Sequence, residues 1–422
     1  MTIKLKNAND LNNWIVAAAI AEASVCEIIA AITGLSSNVF LALAIVLVVL
    51  TVVHNRMYKL NIKLWIIFVV LTLVFVFSGL LNGFESISDY FLRFSAFSVL
   101  ALSIISLDID YGKVVSNLTV IYLIRAITFF TLQRNSILAL NVWAFDRVQM
   151  AYAFEFGAAG VVVVTVFIYH KLFHFSKMTM IIAAIDLIAS IQVVLFDCHT
   201  RGAILIIGIA IVLMLLSKAK KSTVPIIIVI AIVGLVFMLF WEELLTFVIE
   251  FLDEFGISIP LLDKTVTLLA ADNVGNGRSA IYIRALELFK SSPIIGHGIG
   301  KFESLYGAYV HDIFLEIMCE FGVIGLVVLL LFIFYVIKII INERQNDETI
   351  FIIMIFSLTT SLITSGVYWT TFIFWYYCFL IINTSGVRKI LWRKGYVFEN
   401  DKRNRTWLYR SSNSINDGIT RN

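Results

Sequence analysis

Apolar residues arrive in long runs separated by short polar breaks, and the runs have the length of membrane-crossing helices. A helix rises 1.5 Å per residue, so about 20 residues cross the hydrocarbon of a bilayer. Twelve runs can be drawn, at about 14–33, 38–53, 64–81, 91–107, 114–132, 149–169, 178–196, 202–217, 224–241, 312–337, 348–365 and 367–385. They predict an all-α, polytopic membrane helix bundle. Arg125 interrupts the fifth run, Asp186 the seventh, and the eighth is short. The first run holds Glu22 and Glu27 and reads as a retained helix rather than a cleaved leader. One connection is far longer than the others. It divides the chain into helices one to nine (1–241), a large loop with interfacial helices (242–311), helices ten to twelve (312–386) and a basic tail (387–422).

Composition strengthens this reading. The chain is 60% hydrophobic and 14% charged, with 3 prolines, whereas soluble domains are about a quarter charged. The placement of positive charge sets the orientation, since Lys and Arg collect in cytoplasmic loops. With the N-terminus inside, Lys4, Lys6, Arg56, Lys59, Lys63, Lys113, Lys171, Lys177, Lys218, Lys220, Lys221, Lys338, Arg344 and the basic tail all fall on the cytoplasmic side. The short loops opposite hold only Arg134, Arg147 and Arg201. Both termini are therefore expected in the cytoplasm and the 242–311 loop outside it, with the tail touching anionic lipid and mostly disordered. Cys26, Cys198, Cys319 and Cys378 show no C-x-x-C spacing. The histidines lack metal-ligand spacing, so no metal or cofactor is expected. Membrane lipids are expected partners and nucleic acid is not.

The long loop has internal order. Residues 242–255 are apolar and acidic, suited to the membrane interface. A turn-rich run follows, Asp272-Asn273-Val274-Gly275-Asn276-Gly277-Arg278-Ser279. Helical spacing then places Tyr282, Leu286 and Phe289 on one face, beside Ile281, Ala285 and Leu288, and Ser291-Ser292-Pro293 stops the helix. Gly296-His297-Gly298-Ile299-Gly300 is a turn, and His311-Asp312 stands at the start of the next apolar run. Arg278 at a helix start opposes the helix dipole. Two readings are open: a solvent-facing side chain, or a guanidinium that shares an anion with the helix N-terminus.

These residues form a pattern. Gly277-Arg278-Ser279-Ala280-Ile281-Tyr282, then Ser292-Pro293-Ile294-Ile295-Gly296-His297-Gly298-Ile299-Gly300, then His311-Asp312-Ile313-Phe314-Leu315-Glu316 and Glu320-Phe321-Gly322-Val323-Ile324-Gly325 resemble the O-antigen polymerase and O-antigen ligase superfamily. A second local match is Thr200-Arg201-Gly202-Ala203 at the outer end of a helix. The span count and the place of the large loop agree with it. Asp312 departs from the Asn or Ser common after the loop histidine, and is able to orient His311 or raise its pKa.

The resemblance implies glycosyl transfer from a saccharide on a polyprenyl diphosphate, at the outer face of a bacterial plasma membrane. The acceptor is a sugar hydroxyl on another carrier-linked unit for a polymerase, or a lipid core for a ligase. No cofactor is implied. Polymerases of this kind work in systems with a flippase and a chain-length regulator, though no residue here marks such a contact. The leaving diphosphate calls for fixed cations, for which Arg201 and Arg278 are the candidates. An imidazole near its ordinary pKa can hold or take the acceptor proton, which points to His311. Arg125, Asp312, His199 and Gly277 are the further substrate-binding candidates. Arg125 is expected either to pair with Asp186 or to grip donor phosphates. The aromatic residues, Trp369, Trp375, Tyr376 and Tyr377 included, are read as lipid-facing or interfacial. A lipid-linked oligosaccharide transporter and an inactive polytopic scaffold are rivals from other classes.

Overall fold

The computed structural model describes residues 8–35, 39–55, 61–84, 87–139, 142–198, 200–218, 248–252, 254–256, 258–270, 278–342, 347–363, 367–393, 396–400 and 405–409. Among the described residues the elements are helical apart from one terminal hairpin: α1 Ala8–Ile20, α2 Glu22–Thr33, α3 Phe40–His54, α4 Ile62–Asn82, α5 Ser88–Ile104, α6 Tyr111–Thr128, α7 Arg134–Leu138, α8 Val142–Phe173, α9 Lys177–Ile191, α10 Arg201–Lys218, α11 Pro260–Ala270, α12 Arg278–Ser291, α13 Lys301–Tyr306, α14 Ile313–Asn342, α15 Asp347–Thr359 and α16 Phe372–Arg393. Six helices among the described residues are long and apolar enough to cross a membrane, or seven if the bent pair α1–α2 counts as one. Their outward faces suit lipid: Phe77 and Leu80 of α4 and Leu331 and Phe334 of α14 are each more than 60% exposed. In water such surface would be costly. The ninth apolar run lies outside the described residues.

The first run is not straight. α1 and α2 meet at 85°. Polar anchors pull the two halves apart. Asn12 donates to Asn55 and to the Asp108 carbonyl, and Asn13 accepts from the Asp110 amide. In α2, Glu27 instead accepts from Gln133 and Tyr152.

The fifth and seventh runs each contain a π-helical segment, Phe129–Gln133 and Gln192–Asp197. An extra residue in a turn shifts the register of side chains and is common near function. Here it helps satisfy charge inside the bundle. Arg125, fully buried, donates to Glu155 at 2.6 Å and to Gln133 at 2.7 Å. Arg134, just past the first π segment, donates a two-pronged pair of bonds to Asp197 at the end of the second, both at 2.8 Å. The expected Arg125–Asp186 pair does not form. Asp186 is buried, and neither carboxylate oxygen has a hydrogen-bond partner among the described residues.

Small residues set the central packing, as is usual between membrane helices. A Cβ on Gly157 of α8 would meet Ala203 of α10 at 3.2 Å, and one on Gly160 would meet Ile207 at 2.5 Å. Ala203 belongs to the Thr-Arg-Gly-Ala stretch, so its small side chain is what lets α10 approach α8 just beyond Arg201.

Two expectations are corrected. Trp369, Trp375, Tyr376 and Tyr377 are buried, not lipid-facing. A 3-10 turn at Tyr368–Thr370 folds the chain inward before α16. Trp369 then packs edge-on against Phe75 at 4.5 Å and stacks with Trp375 at 5.3 Å. The tail is also more ordered than expected in part: α16 runs to Arg393, and Tyr396–Asn400 pairs antiparallel with Arg405–Tyr409.

Candidate functional site

The site is built on α12, the turn after it, and the start of α14. α12 begins at Arg278, and its buried face is Ala285 and Leu288 with Ile281 beside them, whereas Leu286 is 40% exposed. The packed stripe is therefore rotated from the Tyr282–Leu286–Phe289 face expected from spacing. Cys319 of α14 donates from Sγ to the Ala285 carbonyl at 3.3 Å and seals this contact. Cys198 and Cys319 are both free, each buried in its own apolar cluster.

The glycine turn fits a break in α14. Gly322 has φ +62° and ψ −153°, a conformation nearly restricted to glycine. This kink leaves helix carbonyls and amides without their usual partners. The 293–298 segment supplies them. His297 and Gly298 donate their amides to the Cys319 and Glu320 carbonyls, both at 2.8 Å, and Val323 donates to the Pro293 carbonyl at 2.8 Å. The approach is backbone to backbone: a Cβ on Gly296 would lie 2.3 Å from the Glu320 carbonyl carbon, and one on Gly322 2.4 Å from that of Ile294. Asn82 and Ser78 at the end of α4 bind the same turn, Asn82 donating to the His297 carbonyl and Ser78 accepting from the Ile299 amide. His297 contacts Ser291 and the Leu288 carbonyl through Nε2 at 2.8 and 3.0 Å, a structural position.

His311 follows at the end of the loop. Its φ of +63° is rare for a residue with a side chain, and such strain is often held at functional positions. The half-buried imidazole lies 3.8 Å from the Tyr309 ring, centroid to centroid. Its Nδ1 is buried and makes no hydrogen bond among the described residues. Burial, with the charge of Arg278 added, pushes its pKa down to about 4. Asp312 does not raise it. The Asp312 carboxylate caps α14 instead, accepting from the Leu315 amide at 2.9 Å.

Arg278 acts electrostatically on Arg201 as well as on His311. Arg278 of α12 thus stands within electrostatic reach of Arg201 at the start of α10, 77 positions before it, and of His311 before α14, 33 positions after it. Two like charges within reach of each other, both half-buried, make this part of the protein strongly positive. Arg125 stands apart from this pattern, since Glu155 and Gln133 already occupy it and the Tyr152 ring lies 4.9 Å from its guanidinium carbon. His199 and Gly277 lie outside the described residues.

Residues the sequence reading did not assign stand nearby. Glu320 accepts from the Tyr368 hydroxyl and, at 2.9 Å, from the Trp369 indole. Glu316 is 5% exposed. Both charges sit at the start of a strongly apolar run, which is itself a signal of function or pairing.

Residues 184–330 match the family model described as O-antigen ligase. The match takes in Arg201, Arg278, His311 and both glycine motifs, and supports the O-antigen polymerase and ligase superfamily, whose members are membrane glycosyltransferase-like enzymes. No curated protein gives a significant match to the chain.

Proposed function

We propose, proceeding from that superfamily, that the protein polymerises polyprenyl-diphosphate-linked oligosaccharide repeat units at the outer face of a bacterial plasma membrane. In this reading twelve helices cross the membrane, both termini are cytoplasmic and 242–311 is extracytoplasmic. The observation that carries it is the placement of Arg278 within electrostatic reach of both Arg201 and His311. Transfer forms a bond between the acceptor hydroxyl oxygen and the anomeric carbon. The bond from that carbon to the diphosphate oxygen breaks, its electron pair leaves with the diphosphate, and the hydroxyl proton goes to His311. Attack opposite the leaving group inverts the anomeric centre. Arg201 and Arg278 bind the diphosphate as its charge grows, where guanidinium forks are best suited.

The depressed pKa of His311 supports the same assignment. An imidazole with a pKa of about 4 is neutral at physiological pH, so it can accept a proton. The acid limb of kcat/KM is therefore expected near pH 4, with little loss between pH 7 and 5. Assay of transfer in detergent across this range checks it. A limb at or above the ordinary histidine value of about 6.5 would show that His311 is not the titrating base.

Ligation to a final acceptor is the second reading, favoured by the description of the matched family. Complementation separates the two. In a strain lacking this chain, restored long surface polysaccharide where only single repeat units were present supports polymerisation. Polymer that forms without the protein but reaches its final acceptor only with it supports ligation. Unchanged polysaccharide in both respects overturns the enzyme reading and revives a transporter or scaffold.

A further inference from the structure

Beside His311 lies a narrow recess, with room for about one water-sized group, whose lining includes Tyr90, Glu303, Tyr309, Glu316 and Glu320. Carboxylates crowded into one buried place repel each other, so each needs a hydrogen-bond donor or a proton. Two are accounted for. Glu320 takes donors from Tyr368 and Trp369, with the Gly300 amide at 3.4 Å. Glu303 receives the Tyr90 hydroxyl, and burial holds its pKa above the ordinary carboxylate range. Glu316 differs: it is 5% exposed and lines the recess, yet its Oε2 has no hydrogen-bond partner among the described residues. A buried carboxylate oxygen left open in a polar recess is costly unless something fills it.

We propose that Glu316 receives a hydroxyl of the acceptor saccharide, making this recess the acceptor subsite of the transferase. The inference rests on the glycosyltransferase reading and names the binding place of its second substrate. A carboxyl oxygen accepts from an O–H donor, the group that a sugar edge offers. Tyr309 joins the two places, since it lines the recess and its ring also lies against the His311 imidazole. Glu316 sits little more than one helical turn beyond His311, donating its amide to the Asp312 carbonyl. A saccharide held by Glu316 therefore has its neighbouring hydroxyls close to the imidazole that takes the proton. The recess is narrow and takes a single hydroxyl, with the rest of the saccharide outside it.

The test uses full-length protein in detergent. The donor is lipid-linked repeat unit extracted from cells lacking the chain. The acceptor is the same saccharide released from its lipid and labelled at the reducing end. Glu316→Gln keeps the shape of the side chain and replaces one carboxyl oxygen with an amide NH2; Glu316→Asp keeps the carboxyl group and shortens the reach. Losing one partner of a buried hydrogen bond typically costs about tenfold or more in binding. The expected result is an acceptor KM raised about tenfold or more in Glu316→Gln, a smaller rise in Glu316→Asp, and an unchanged donor KM in both. Wild-type transfer with an unchanged acceptor KM in Glu316→Gln overturns the subsite while leaving the glycosyltransferase reading intact. A fall in kcat with both KM values unchanged makes Glu316 structural and also overturns it. Absence of any transfer by wild type overturns the glycosyltransferase reading, and the subsite falls with it.

Discussion

Arg278→Ala is expected to lower transfer by about 10²–10³-fold, the usual effect of removing one preorganised donor to a developing anion. The loss should be the largest among single alanine variants of the three converging residues. Arg278 is the one whose charge acts on both of the others, Arg201 and His311. Its position adds to the effect. It is the first described residue of α12, towards the helix end whose dipole favours a negative ligand. Arg278→Lys should recover only part of the activity, because an ammonium lacks the planar fork that grips two phosphate oxygens. The residual activity carries a second signature. Arg278 helps push the His311 pKa down to about 4, so removing the guanidinium lets that pKa rise toward the ordinary value. The acid limb of the variant should therefore move to higher pH, while the limb of Arg201→Ala should move less. Initial rates of lipid-linked donor consumption from pH 3.5 to 8 read both effects. Wild-type rates in Arg278→Ala would remove it from the site, and a lower rate with an unmoved limb would separate it from His311.

What could be read from the chain depended on whether the signal was local. Arg278 and His311 stand at boundaries between polar and apolar sequence; Arg278 is the first described residue of α12, and α14 begins just after His311. Arg201 likewise begins α10. The partners of buried charge were not legible, because they come from helices far apart in sequence. Arg125 meets Glu155, thirty residues on, rather than Asp186, and a π-helical turn that periodicity does not announce precedes the Arg134–Asp197 pair. The burial of Trp369 and Trp375 was misread for a related reason. An aromatic pair at the end of an apolar run has the same sequence signal whether it faces lipid or packs inward, and the inward 3-10 turn at Tyr368–Thr370 decides the matter. Glu316 and Glu320 were visible as charges in an apolar run, but only packing shows that Glu320 is satisfied and Glu316 is open.

Gly322→Ala is expected to cost about 3 kcal/mol or more of stability, combining a backbone state closed to other residues with overpacking. The added methyl would sit 2.4 Å from the Ile294 carbonyl carbon and oxygen and 2.7 Å from the Pro293 oxygen, all backbone atoms that cannot swing aside. Something must move, and what is free to move is the 293–300 turn. That turn closes the hydrogen bonds across the α14 kink and carries the Gly300 amide toward Glu320. Displacing it should disturb the recess and the path to His311 together, so transfer should fall even at temperatures where the protein stays folded. Gly208→Ala is the matched control. Its Cβ would meet nothing within 4 Å inside α10, so the change should be neutral or stabilising by about 0.5–1 kcal/mol through the lower helical cost of alanine. Melting midpoints of the two variants in the same detergent, with transfer measured well below both, test the argument. A Gly322→Ala protein as stable and active as Gly208→Ala would mean that the kink is not what holds the turn, and that the glycines of the two motifs serve some purpose other than their mutual close approach.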